Sequence, residues 1–142
     1  MQDLAQEVRA DNTITPQSVA VAGTVNTNTG MYRSMAKYRK GLVIVTANLT
    51  NTKTCIAQLT CSSAATATGK ANVTGKTVTL TGTTAIPNQV GVIEFDVNDL
   101  YAIDPTKYFV GVDLTTNQND DEVAAILIRS AARYYSGSSL PV

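Results

Sequence analysis

Three aspartates, Asp96, Asp99 and Asp104, stand within one nine-residue stretch. Two carboxylates so close together can in principle serve glycoside hydrolysis, one as general acid and the other as base or nucleophile. No aromatic platform accompanies them, and Asp99 reads better as a residue that helps to start a turn. Asn117, Asn119, Asp120, Asp121 and Glu122 offer oxygen ligands of the kind that hold calcium, but without the twelve-residue spacing of a helix-loop-helix site, so the segment reads as a solvated loop. Gly75-Lys76-Thr77 has the ending of a phosphate-binding loop. Lys70, however, stands where that motif needs its first glycine, Gly69 comes one residue early, and the segment leads toward a strand, so a turn is expected.

The two cysteines, Cys55 and Cys61, lie six positions apart in one expected strand, which separates them by roughly 20 Å. A disulfide needs Cα atoms roughly 4.4 to 6.8 Å apart, so the two should not pair. Their shared parity puts both on one face with Ala57 and Leu59, where free thiols behave as small hydrophobes.

Histidine is absent from the chain. That removes the Ser-His-Asp and Cys-His nucleophile systems and the commonest zinc ligand, and two cysteines cannot complete a four-ligand zinc site. A protein that is not an enzyme and carries no cofactor is the expectation. Eleven Lys and Arg balance eleven Asp and Glu, so no overall field draws nucleic acid or an anionic membrane, and neither is expected as a direct partner. No apolar run approaches the roughly 20 residues that cross a bilayer, and the first residues lack the basic-then-apolar order of a signal peptide. Asn48-Leu49-Thr50 and Asn72-Val73-Thr74 match glycosylation acceptors that no secretion signal supports.

Charge is concentrated at one place. Arg33, Lys37, Arg39 and Lys40 alternate with Tyr32 and Tyr38, forming a cluster that suits contact with acidic residues of a protein or with phosphates, and equally a solvated basic face. These six residues are the candidate partner contacts.

The elements around them follow from periodicity. Residues 1–16 are polar and end in Thr15-Pro16, so they read as an arm outside the core, with a helical turn conceivable over 3–9. Val19, Val21, Gly23 and Val25 then share a face in a first strand from 17, which 26–30 breaks as a turn. Residues 31–40 suit a short strand or a loop. The 42–49 segment is a strand whose Leu42, Val43, Ile44 and Val45 are apolar on both faces, a pattern that calls for cover on each side. Asn51-Thr52-Lys53 connects it, as a hairpin, to a strand over 54–62. Small residues over 64–74 form a loop or edge hairpin, and 76–81 sets Val78 and Leu80 against a threonine face that should meet solvent or a partner.

Further strands are expected over 89–97 and 108–114, with a helical turn at 98–103 between them and a polar turn at 115–121 beyond. Residues 122–129 fit either helix or strand. The run Ile126-Leu127-Ile128 and the lack of another helix to pack on favour a central strand. Residues 135–142 form a short tail. The whole is an all-β domain over 17–134, an antiparallel β-sandwich or jelly roll with an N-terminal arm.

The order of Met35-Ala36-Lys37-Tyr38-Arg39-Lys40, Glu94-Phe95-Asp96-Val97, Asp99-Leu100 and Lys107-Tyr108-Phe109-Val110-Gly111-Val112, closed by an apolar strand, resembles the capsid decoration, or cement, proteins of tailed bacteriophages. The type is the jelly-roll one, similar to that of short-tailed Bordetella phage, and the likeness runs from about residue 17 to 134. The resemblance implies a structural virion protein, made in the bacterial host cytoplasm and placed on the capsid surface. Its partners would be the major capsid protein and itself, as homodimer or homotrimer, and it carries no catalytic residues. A head-fibre or tail component and a carbohydrate-binding module are the alternatives, the latter disfavoured by the absence of Trp.

Overall fold

The computed structural model describes residues 9–18, 23–27 and 31–132. Two antiparallel sheets face each other. One contains β1 (Arg9–Ser18), β4 (Tyr38–Asn48), β7 (Asn88–Asp96) and β9 (Glu122–Ala132), in the order β1-β9-β4-β7. The other contains β2 (Thr24–Asn26), β5 (Thr54–Ser62), β6 (Ala71–Thr81) and β8 (Phe109–Thr116), in the order β2-β8-β5-β6, and the short β3 (Arg33–Ser34) also pairs with β8. The chain changes sheet at almost every connection, and among the described strands β5 and β6 form the one hairpin of consecutive, paired strands. That strand order is a jelly roll.

The alternation read from the sequence is the alternation of burial. Val43, Val45 and Ala47 of β4, Ile93 and Phe95 of β7, and Val123, Ala125 and Leu127 of β9 face inward from the first sheet. Cys55, Ala57, Leu59 and Cys61 of β5 and Val110, Val112 and Leu114 of β8 face them from the second. Exclusion of these β-branched and aliphatic groups from water is the main driving force for the sandwich, at about 25 cal/mol per Å² of apolar surface. The 122–129 segment is a strand, central between β1 and β4. The threonine face is where it was expected: Thr77, Thr79 and Thr81 of β6 are exposed.

Both cysteines are unbonded and buried. Burial, reinforced by the negative charge of Asp121, pushes the Cys55 thiol up to about 11; burial likewise raises Cys61. Since the thiolate is the nucleophile, a rise of this size cuts the reactive fraction at pH 8 by about 100-fold. Native protein is therefore expected to label with a thiol reagent at least that much more slowly than unfolded protein, as timed by mass spectrometry.

Three expectations are corrected. Residues 9–16, placed in an arm, belong to β1, which pairs along β9 from Arg9↔Arg129 to Ser18↔Glu122. Register shifts between Asn12 and Ile14 and between Ile14 and Gln17 interrupt its alternation, so that Thr13 and Ile14 are both buried in succession; this hid the strand from a period-two reading. The first strand expected from 17 is divided between the end of β1 and β2, and Val19 and Val21 lie outside the described residues.

The expected hairpin of 42–49 with 54–62 does not form, because β4 lies between β7 and β9 whereas β5 lies between β6 and β8. The connection instead carries the chain over the end of the sandwich. Leu49 N donates to Pro87 O at 2.9 Å, Thr50 N to Asp121 Oδ1 at 3.0 Å and Thr52 N to Gly82 O at 2.9 Å, while Thr52 takes a φ of 67°. These bonds satisfy the backbone of a crossing that no ladder can satisfy.

The helical turn falls at α1 (Val97–Tyr101), where Asp96 is the N-cap, its Oδ1 accepting from Asn98 N at 2.9 Å, and forms a capping box with Asp99: the Asp96 side chain accepts from Asp99 N, and Asp99 Oδ2 accepts from Asp96 N at 2.8 Å. Asp99 thus starts a turn, as its position suggested. No helix among the described residues is long and apolar enough to cross a membrane.

Candidate binding surface

The basic cluster is built by a tight reversal between β3 and β4. Met35 N donates to Tyr108 O at 2.8 Å and Tyr38 N to Met35 O at 3.1 Å, which leaves Ala36 and Lys37 at the exposed tip. Arg39 and Lys40 follow, exposed at the start of β4. Lys37, Arg39 and Lys40 make no ion pair among the described residues, so three cations project from one corner of the sandwich.

The other three candidates are positioned differently. Tyr32 is 1% exposed: its ring lies over Gly111, where an added Cβ would come within 2.6 Å, and its hydroxyl meets Thr60 Oγ1 at 3.0 Å. It thereby covers part of the outer face of the β2-β8-β5-β6 sheet. Tyr38 is 3% exposed and lies under the guanidinium of Arg129, 4.7 Å from the ring centroid. Neither ring is available to a partner; both serve packing. Arg33 is half-buried and its Nε lies 3.4 Å from Asp11 Oδ1.

Arg129 was not singled out by its sequence, yet it organises this corner. Its Nη1 donates to Ser34 O at 2.8 Å and its Nη2 to Asp11 Oδ2 at 2.7 Å. It follows Val123, Ala125 and Leu127 in parity, so an arginine on the core face of an expected strand was the available signal.

The aspartates are engaged locally. Asp96 and Asp99 cap α1, Asp99 also pairs with Lys76 Nζ at 3.1 Å, and Asp104 Oδ1 accepts from Thr106 N at 2.9 Å and Thr106 Oγ1 at 2.8 Å, which lowers the Asp104 pKa. Asn117 Oδ1 accepts from Thr54 N at 2.9 Å and Asp121 Oδ1 from Thr50 Oγ1 at 3.0 Å, so the polar 117–122 segment fastens neighbouring loops. Among the described residues no three His, Cys, Asp or Glu side chains converge to hold a metal ion. Gly75-Lys76-Thr77, expected as a turn, lies instead within β6, beside the register shift against β5, where Gly75 takes a φ of 74°.

A second surface was only half legible. The outer face of the β1-β9-β4-β7 sheet is apolar at its centre: Val90 is 65%, Val92 48% and Ile126 39% exposed, beside the half-buried Leu42, Ile44 and Ile128. No described residue covers it. The matching face of the other sheet presents Thr54, Gln58, Asp113 and Thr115, with Ile56 as its exposed large aliphatic.

No family model matches the chain, and no curated protein matches its sequence. Solved structures share the fold. The chain is similar to the PBSX exported protein XepA, at a TM-score of 0.58 and 8% identity over 94% of this chain and 42% of that one. It is similar to the PRD1 vertex protein P5, at 0.55 and 8% identity over 88% of this chain and 96% of that one. A chain of infectious bursal disease virus, Gx strain, matches at 0.50 and 10% identity over 94% of this chain and 35% of its own. The chain thus spans less than half of the first and third of these proteins and nearly all of the second.

Proposed function

We propose that this chain is a structural virion protein that binds the outer surface of a bacteriophage capsid and stabilises the shell, through the major capsid protein. The observation that carries the reading is the complete jelly roll, alike over 96% of the chain of a protein named as a vertex protein. The surface agrees with it. Lys37, Arg39 and Lys40 form a patch suited to acidic groups of a protein partner, and the histidine-free sequence removes the usual nucleophile systems. No enzymatic role and no cofactor are part of the proposal.

A ligand that binds only the assembled shell stabilises it by mass action, by about 2.7 kcal/mol per site at a hundredfold excess over Kd. Shells prepared without the chain are expected to bind it in co-sedimentation and to disrupt at a higher temperature once it is added. Reversal of two charges, Lys37→Glu with Arg39→Glu, is expected to weaken attachment about tenfold or more while leaving the circular dichroism spectrum unchanged. Shells that neither bind the chain nor gain heat resistance would refute the reading, and binding to fibres or tails instead would place it there.

A further inference from the structure

The outer face of the β1-β9-β4-β7 sheet is a row-ordered surface. Lys40 stands in the first row between Asp96 and Ser130; Leu42 in the second between Glu94 and Ile128; Ile44 in the third between Val92 and Ile126; Thr46 in the fourth between Val90 and Ala124; Asn48 in the fifth between Asn88 and Glu122. Apolar side chains fill the central row and most of its neighbours; the charges are Lys40 and Asp96 in the first row, Glu94 in the second on the edge strand β7, and Glu122 in the fifth.

We propose that this face is the interface between two copies of the chain, stacked face to face with their strands antiparallel about a two-fold axis that crosses the strands at the Ile44 row.

Three features point to a second copy in this arrangement. The first is charge. Lys40 at one end and Glu122 at the other are exposed and make no ion pair among the described residues. A two-fold axis along the strands keeps each row on itself, so that an axis on β4 would set Lys40 against the partner's Lys40 and an axis on β9 would set Glu122 against the partner's Glu122. An axis across the strands exchanges the rows and brings each Lys40 over the partner's Asn48, one strand from the partner's Glu122.

The second feature is shape. The same exchange sets the large Ile128 against the small Ala124 of the partner, and stacks the Val92-Ile44-Ile126 row on itself; aligned sheets pack this way, about 10 Å apart. The third is area. Four strands by five rows present roughly 19 Å by 27 Å of surface, about 500 Å² for each copy and about 1,000 Å² for the pair even as flat projections, which meets the floor of roughly 1,000 Å² for a biological interface. Cover of this kind is what a strand apolar on both faces requires, and β4 receives it from the chain's own described residues on its inner face alone. The proposal shares Lys40 with the basic patch but does not need the virion reading: a dimer that fails to bind shells would refute that reading and leave this one standing.

Sedimentation equilibrium of the full chain at micromolar concentrations tests it. The wild type is expected to be a dimer, and Val92→Lys with Ile126→Lys, both at exposed sites, a monomer whose circular dichroism remains that of a β protein. Because folding defects can also abolish association, the charge swap is the second arm. Lys40→Glu is expected to raise the dissociation constant at least fivefold, Glu122→Lys likewise, and the two together to restore it to within about twofold of the wild type. A monomeric wild type, a dimer indifferent to lysines on this face, or a double charge variant weaker than either single one would each overturn the proposal.

Discussion

Replacing Asp11 by alanine is expected to lower the unfolding free energy by about 3 kcal/mol, as read from urea denaturation. Arg129 is a charge inside the sandwich, its side chain 10% exposed. Its guanidinium is satisfied by Asp11 of β1, by the Ser34 carbonyl of β3 and by the face of the Tyr38 ring of β4. Strands from both sheets therefore meet at one cation. Loss of the carboxylate leaves that cation buried with a carbonyl and a ring as its remaining partners, and a buried charge stripped of its counter-ion costs far more than an exposed pair is worth. Arg129→Met removes the charge along with the need for its partner, so the double variant Asp11→Ala with Arg129→Met is expected to be more stable than Asp11→Ala alone. A double-mutant cycle that is additive within about 0.5 kcal/mol would show that the two residues do not act as a pair.

Gly41→Ala is expected to cost about as much, about 3 kcal/mol, by a different route. Gly41 of β4 is directly opposite Phe95 of β7, and the phenyl ring lies across the glycine: an added Cβ would be 2.1 Å from Phe95 Cζ and 2.4 Å from Cε1. Phe95 is buried against the core and has little room to withdraw. The methyl group must therefore displace the ring and the residues packed on it, as overpacked cores do. Phe95→Leu removes the ring and should relieve the clash, so Gly41→Ala is expected to cost clearly less in the Phe95→Leu background than in the wild type. Equal costs in both backgrounds would refute the contact.

Both predictions rest on pairings between residues distant in sequence, and that is where the sequence was hard to read. Asp11 and Arg129 are joined across the chain's whole length. Nothing local to Asp11 distinguishes it from the other polar residues of 1–16, and the register shifts in β1 removed the alternation that would have revealed a strand. Tyr32 and Tyr38 looked like aromatic members of a surface cluster because they alternate with cations. Gly111 opens a space that the first ring fills, and Arg129 stacks on the second. The three exposed cations of the cluster, in contrast, were legible from their type and spacing.

By itself the sequence determined the local facts. Residues alternate in burial along a strand because the pleat turns successive side chains to opposite faces, so β4, β5, β7, β8 and β9 could be located, the cysteines assigned to one buried face, and 122–129 recognised as strand. It also showed that β4 is apolar on both sides. Tertiary structure decided which strands are neighbours. Alternation states which face of a strand is buried and is silent on its partner, so a hairpin of β4 with β5 was as consistent with the pattern as the crossing that the jelly roll makes. Only with that order in place do Val92, Ile44 and Ile126, drawn from three separate strands, become one apolar row left open to a second copy of the chain.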